Sequence, residues 1–174
     1  MEDKTLKTKL GRYIDAGFPV IYFNTFEEDK VDTIIEQVNF GKEIYEWNET
    51  NGYIDFETKS PLIEDCSLEM MLDQIKTPEM LDRKIILIKD INSYLEDSRI
   101  ASKIKGLARM INSGVDANII IVSNILIIPK ELEKYIIILE MDYLNVEDIK
   151  KVILNFIEEN SLENIGQDLL EELS

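Results

Sequence analysis

A three-layer α/β fold on a mostly parallel, five-stranded sheet is what this sequence predicts, and three observations carry the prediction. Ile85, Ile86, Leu87 and Ile88 form an unbroken apolar run, too short for a helix and too apolar for a strand with one wet face. Such a run is expected of a central strand covered on both sides. Comparable runs at 20–23 and 118–122 alternate with stretches whose apolar residues recur every three or four positions. That alternation implies parallel β-α-β units with right-handed crossovers.

The elements follow in order. Leu6, Leu10, Tyr13 and Ile14 share one helical face, and Gly17 supplies a left-handed stop. Residues 20–23 are the first strand. Thr25 with Glu28 reads as a capping box opening a helix whose Val31, Ile34, Ile35 and Val38 turn inward. Residues 43–47 form a second strand, and after the turn signal Asn51-Gly52 the stretch 53–56 is a short hairpin arm. Ser67 introduces a helix with Leu68, Met71, Leu72 and Ile75 on one face, broken at Thr77-Pro78. The central strand follows. Asp97 or Ser98 then caps a helix that turns Ile100, Ile104, Leu107 and Ile111 inward and ends near Gly114. Residues 118–122 are another buried strand, closed by Ser123-Asn124. A short turn begins at Pro129, and residues 135–141 are the fifth strand of the sheet. Asn145 caps a helix carrying Val146, Ile149, Ile153, Phe156 and Ile157, and a last helix shows Leu162, Ile165, Leu169, Leu170 and Leu173. The division expected is an α/β domain over 1–144 and the start of a helical lid over 145–174, in a chain that is a piece of a longer protein.

Composition bounds the function. The 174 residues are 45% hydrophobic and 31% charged, enough for one substantial core with a small satellite. Nineteen Lys and Arg against 35 Asp and Glu give a formal charge of −16, which disfavours binding to nucleic acid or to an anionic membrane. After Lys151 there are six acids and no base, as in a solvated acidic helix. The single cysteine, Cys66, excludes an internal disulfide, and the absence of histidine removes His-dependent catalysis and most zinc chemistry. No metal site is expected. The amino terminus lacks a signal-peptide core and no apolar run approaches the length of a membrane span, so the expected location is cytoplasmic.

In doubly wound sheets, ligands bind at the carboxyl ends of the strands. The first such end reads N-T-F-E-E-D-K, with none of the glycines, lysine and hydroxyl of a phosphate-binding P-loop. Glu27, Glu28 and Asp29 suit the positive end of a helix dipole and would repel a nucleotide phosphate there. The central strand, I-I-L-I-K-D-I, has the form of a Walker B strand whose Asp90 would hold magnesium, but Ile91 stands where a catalytic Glu usually follows. Asn124 corresponds in kind to a polar sensor of a γ phosphate.

Taken together, L-G-R-Y-I-D-A-G-F-P-V-I-Y-F-N-T-F-E-E-D-K-V, I-Y-E-W-N-E-T-N-G, K-I-I-L-I-K-D-I, I-I-I-V-S-N, I-P-K-E-L-E-K-Y and L-N-V-E-D-I resemble the amino-terminal half of plastid- and cyanobacterial-type AAA-family ATPases. The resemblance covers most of the chain. It implies a degenerate AAA-like domain without a working P-loop, preceding a second domain that carries the nucleotide machinery. Asp90 and Asn124 map onto the Walker B and sensor positions as vestiges, and no catalytic residue is implied. ATP and magnesium would then be cofactors of the full-length protein and not of this part. The partners implied are its own downstream ATPase domain or ring neighbours, with no membrane and no direct nucleic acid.

Two other classes compete with this non-catalytic regulatory and assembly role. Asp55, Glu57 and Lys59 give a D-x-E-x-K string such as metal-dependent nucleases carry on a strand, with Glu46 as a second carboxylate. A free-standing acidic interaction protein or nucleic-acid mimic is the other. For partner contacts the candidates are the basic residues Arg99, Lys103, Lys105 and Arg109, away from the apolar stripe of their helix, and Trp47 in the aromatic hairpin.

Overall fold

The structure is a computed structural model and describes residues 2–141 and 146–160. Backbone contacts divide the chain into Met1–Met141 and Asp142–Ser174, and each unit is described by itself.

In the first unit the strands are β1 (Val20–Asn24), β2 (Glu43–Asn48), β3 (Gly52–Asp55), β4 (Pro61–Ile63), β5 (Lys84–Lys89), β6 (Asn118–Ser123) and β7 (Ile136–Glu140). They form one sheet in the order β4-β3-β2-β5-β6-β1-β7. The five strands expected are its parallel part, β2-β5-β6-β1-β7. β3 and β4 extend one edge antiparallel. The Asn51-Gly52 signal marks the β2–β3 turn: Gly52 has φ +68°, and a Cβ there would stand 3.1 Å from the Cys66 carbonyl oxygen. β4 had no signal, since Pro61, Leu62 and Ile63 show no alternation and include a proline.

Helices cover both faces, which is why the central strands are apolar throughout. α1 (Glu2–Asp15) and α2 (Glu28–Gln37) pack Leu10, Ile14, Val31, Ile34 and Ile35 against Ile21, Phe23, Ile85, Leu87, Ile120 and Val122. On the opposite face, α3 (Leu68–Gln74), the single turn α4 (Pro78–Leu81) and α5 (Ser98–Asn112) pack against Tyr22, Trp47, Ile86, Ile88, Ile119 and Ile121. Period-2 alternation thus sends successive residues of one strand into two different cores.

The local signals act as their chemistry requires, with one exception. α1 ends at Gly17 with φ +72°, the Gly17 N–H donating to Ile14 O at 3.1 Å and the Phe18 N–H to Tyr13 O at 3.0 Å, the paired bonds of a Schellman turn. Ser67 caps α3 by accepting from the Met70 N–H, and Asp97 caps α5 by accepting from the Arg99 N–H. The capping box expected at Thr25 and Glu28 does not form. Thr25 Oγ1 accepts from the Glu27 N–H at 3.0 Å in a tight turn, and α2 starts only at Glu28, too late for Glu28 to reach back as a third helical residue.

In the second unit the described part is α6 (Val146–Asn160), on which Ile149, Ile153 and Ile157 are half-buried while Phe156 is exposed. The expected cap at Asn145 and the last helix from Leu162 to Leu173 lie outside the described residues. No helix among the described residues is long and apolar enough to cross a membrane.

Ile120 lies fully buried at the sheet centre. Ile120→Ala should therefore lower the free energy of unfolding by about 2–5 kcal/mol, and removing the α5 cap with Asp97→Ala by about 1 kcal/mol. Urea midpoints of the two variants check both values and their order.

Candidate functional site

The chain leaves β1 through α2 towards β2 on one side, and leaves β6 towards β7 on the other. The carboxyl ends of β1 and β6 are therefore the switch point where doubly wound sheets form their crevice, with the end of β5 alongside. Three short segments meet there: residues 25–29 after β1, Lys89-Asp90 at the end of β5, and Ser123-Asn124 at the end of β6.

The centre of this region is an ion cluster under α2. Lys89 follows Ile85 and Leu87 on the α2 side of β5 and is buried at the end of the strand. Its Nζ lies 2.8 Å from Asp32 Oδ2 on α2 and 3.2 Å from Glu46 Oε1 on β2. Glu46 is buried as well. Its Oε2 accepts from Lys59 Nζ at 2.7 Å and its Oε1 from Asn48 Nδ2 at 3.0 Å. Burial alone would discharge these groups, so the direction of each pKa shows what the neighbours achieve. For Lys89, burial opposes the charge, but the bond to Asp32 and the charges of Asp32 and Glu46 outweigh it and raise the pKa. For Glu46, burial pushes up, while Lys59, Lys89 and Asn48 together hold the carboxyl below its ordinary value. For Asp32, burial wins over the bond from Lys89 and the pKa is raised; its Oδ1 is buried with no hydrogen-bond partner among the described residues.

Glu28 stands one helical turn before Asp32. Burial raises its pKa, and the charges of Asp90, Asp32 and Glu46 push the same way against Lys89. The first turn of α2 thus faces an excess of negative charge.

Asp90 and Asn124 come to the same rim, because β5 and β6 are neighbours in register up to Lys89 and Val122. Both are exposed. Asp90 has φ +55°, and its carboxylate accepts a long bond of 3.4 Å from the Glu49 N–H. Asn124 Oδ1 accepts from Asn92 Nδ2 at 3.3 Å, while Asn92 Oδ1 accepts from the Ser123 hydroxyl. Among the described residues no group of three or more Asp, Glu, Cys or His side chains is placed to hold a metal ion.

The family model of the SpoVK-like AAA ATPase N-terminal domain matches residues 6–141. The chain belongs to this family. Similar curated proteins include an uncharacterized AAA domain-containing protein, ycf46, of Trieres chinensis, 33% identical over 135 residues that make up 74% of this chain and 26% of that protein. Its counterpart in Guillardia theta is 28% identical over 168 residues, 87% of this chain and 32% of that protein. The chain thus spans between a quarter and a third of the length of these relatives. Among solved structures, a chain of Drosophila ORC bound to AT-rich DNA and Cdc6 aligns over 94% of this chain and 69% of its own length, with a TM-score of 0.54 at 10% identity. That likeness is one of fold.

Within this SpoVK-like domain the remaining candidates separate. Trp47 is 2% exposed, its indole N–H donates to Cys66 O at 3.0 Å, and its ring meets Tyr94 edge-on at 5.7 Å. It is a core residue, not a recognition surface, because α3 packs over the hairpin. Lys103 bridges α5 to α3, binding Asp73 at 2.5 Å and lying 3.8 Å from Glu69. Arg99 pairs with the cap residue Asp97, whereas Lys105 and Arg109 make no ion pair among the described residues. The D-x-E-x-K string straddles a turn: Asp55 ends β3 and accepts from the N–H and hydroxyl of Thr58, Glu57 is exposed, and Lys59 has φ +56°. Glu46 and Lys59 do meet, but as an ion pair, so the carboxylate oxygens that would ligate a metal already accept from Lys59, Lys89 and Asn48.

The residues that sequence reasoning missed are Lys89 and Asp32. Their signal was a lysine in step with Ile85 and Leu87 on a strand buried on both faces, which requires a counter-charge from whatever covers it.

Lys89→Met leaves Asp32 and Glu46 facing one another with only Lys59 as a cation. It should lower the unfolding free energy by about 3–5 kcal/mol at pH 7. Removing Lys89 would raise the folded pKa of both carboxylates relative to the parent chain, so the stability lost is greatest where both are ionised. The deficit should shrink as pH falls from neutrality towards 5. Urea unfolding of both proteins at several pH values measures this, and a deficit that widens on acidification contradicts the account.

Proposed function

We propose that this domain is a non-catalytic regulatory and assembly module of a larger AAA-family ATPase, acting through protein contacts and taking no nucleotide itself. The observation that carries the reading is the charge at the crevice. Where a nucleotide-binding domain presents backbone amides and a free lysine to phosphate, this one carries Glu27, Glu28 and Asp29, and its nearby lysine is already neutralised by Asp32 and Glu46. Phosphate would have to displace Lys89 from two carboxylates and enter a field that already raises the pKa of Glu28. ATP and magnesium belong, on this reading, to the part of the parent protein that this chain does not span. The domain's own downstream neighbour or adjacent subunits are the partners.

A module without nucleotide chemistry can influence an attached ATPase only by contacting its states unequally. Lys105 and Arg109 are the surface cations best placed for such a contact, since Lys103 is held by α3.

Calorimetric titration of the chain with ATP and magnesium should give no saturable heat; micromolar binding would sink the reading. In the full-length protein, Lys105→Glu with Arg109→Glu should alter assembly or ATPase activity, more at low salt than at high, because exposed charges are screened over about 8 Å at physiological ionic strength. Unchanged assembly and turnover at low salt would remove this face from the account.

A further inference from the structure

We infer that the rim of this crevice is a docking surface for a basic amphipathic segment of a partner protein, with Phe26, Ile125 and Leu126 as its apolar part and the acids of the α2 start and Asp90 as its charged edge. The inference rests on the reading that no nucleotide occupies this site.

The apolar part is the first observation. Phe26 is 72% exposed, more than any other large hydrophobic residue among those described, and Ile125 and Leu126 are 52% and 42% exposed. They leave adjacent strands within three residues of their ends: β1 and β6 are in register up to Asn24 and Ser123, and the Thr25 N–H donates to Ser123 O at 2.9 Å. The segment that carries Ile125 is fixed. Tyr22 Oη donates to Ile125 O at 2.6 Å and Ser123 Oγ accepts from the Ile125 N–H at 3.1 Å. Exposed apolar residues just past two neighbouring strand ends, Ile125 among them on anchored backbone, have the composition of a contact surface and not of a solvated loop.

The charge is the second observation, and it selects the occupant. Glu27, Asp29 and Asp90, which follow the ends of β1 and β5, are exposed, and Glu28 is half-buried. Lys89, the nearby cation of the strand ends, points inward to Asp32 and Glu46, which leaves Lys30 as the neighbouring surface base, itself 3.9 Å from Glu27. A partner that covers the apolar part must bring positive charge or leave these carboxylates desolvated against apolar atoms. A second copy of this chain, at −16, fits poorly. A segment alternating leucine-like and lysine- or arginine-like side chains fits both parts.

The test uses the whole 174-residue chain, isotopically labelled, and a synthetic 14-residue helical peptide of Leu and Lys, with the Leu/Glu version as control. Saturable binding of the Leu/Lys peptide should shift amide resonances of residues 25–30, 90–92 and 124–126. Phe26→Ser or Leu126→Ser should weaken it at least about tenfold, as should Glu27→Lys with Asp29→Lys, whereas Glu131→Lys with Glu133→Lys, on a different turn, should leave it within about twofold. Shifts spread over the acidic surface, equal weakening by the control charges, indifference to Phe26→Ser, or no saturation by about 1 mM peptide each overturn the inference. A spin label on Phe26→Cys, with Cys66 buried and protected, reports the other occupant: quenching of resonances beyond Met141 without peptide would place this chain's own segment there and overturn it too. Magnesium ATP added alone is a separate arm. Shifts caused by ATP would sink the nucleotide-free reading, while the peptide arms still decide the docking.

Discussion

A lysine at the buried end of a central strand cannot stay charged without counter-charges, and Lys89 takes them from two different elements, Asp32 of α2 and Glu46 of β2. This requirement sets much of the upper half of the sheet. It holds the first turns of α2 over β5, fixes β2 beside it, and draws Lys59 from the β3–β4 turn onto the other oxygen of Glu46. Ion clusters of this kind contribute little net stability compared with well-packed apolar groups, since desolvation offsets attraction. Their effect is on arrangement: an α2 shifted by one residue would separate Asp32 from Lys89 and leave a buried charge unpaired. Asp32 Oδ1, without a partner among the described residues, marks where that satisfaction is incomplete.

The fold was readable because burial on both faces leaves a plain mark on sequence. Runs such as Ile85–Ile88 and Ile119–Val122 have no polar member to confuse strand with loop, and each is separated from the next by a helix with one apolar face. Edges leave a weaker mark. β4 is three residues with a proline, held by β3 alone, and nothing in Pro61-Leu62-Ile63 distinguishes it from loop. The start of α2 was misplaced because a Thr followed three residues later by Glu has the letters of a capping box, whereas the chain uses the Thr hydroxyl for a turn one step earlier.

The site was only half readable for a related reason. Periodicity tells which face a residue takes and not what covers that face. It gave the rim positions of Asp90 and Asn124, which follow from strand ends, but it could not show that Lys103 meets Asp73 across a helix pair or that Trp47 lies beneath α3. Those contacts join residues far apart in the chain, 30 positions in the case of Lys103 and Asp73, with no local pattern to announce them. Lys89 left a partial mark, a lysine in step with Ile85 and Leu87 on a strand buried on both faces, but nothing local named Asp32 and Glu46 as its counter-charges.

The internal use of cations changes what the charge of this domain means. Of its 19 lysines and arginines, Lys42, Lys59, Lys89 and Lys103 form ion pairs tied to the sheet or its covering helices, and Lys42 and Lys89 are buried. Asp116 and Asp73 remain partly exposed, whereas Lys42 and Lys89 are withdrawn from the surface. The outer field is therefore set by carboxylates, most densely at the α2 start and along the crevice rim. The surface is acidic with local exceptions, Lys105 and Arg109 among them, so charge complementarity would decide where a partner docks and which face it presents. On the proposed reading, the carboxylates at the α2 start that would repel an anion are the same ones that would favour a cation beside them.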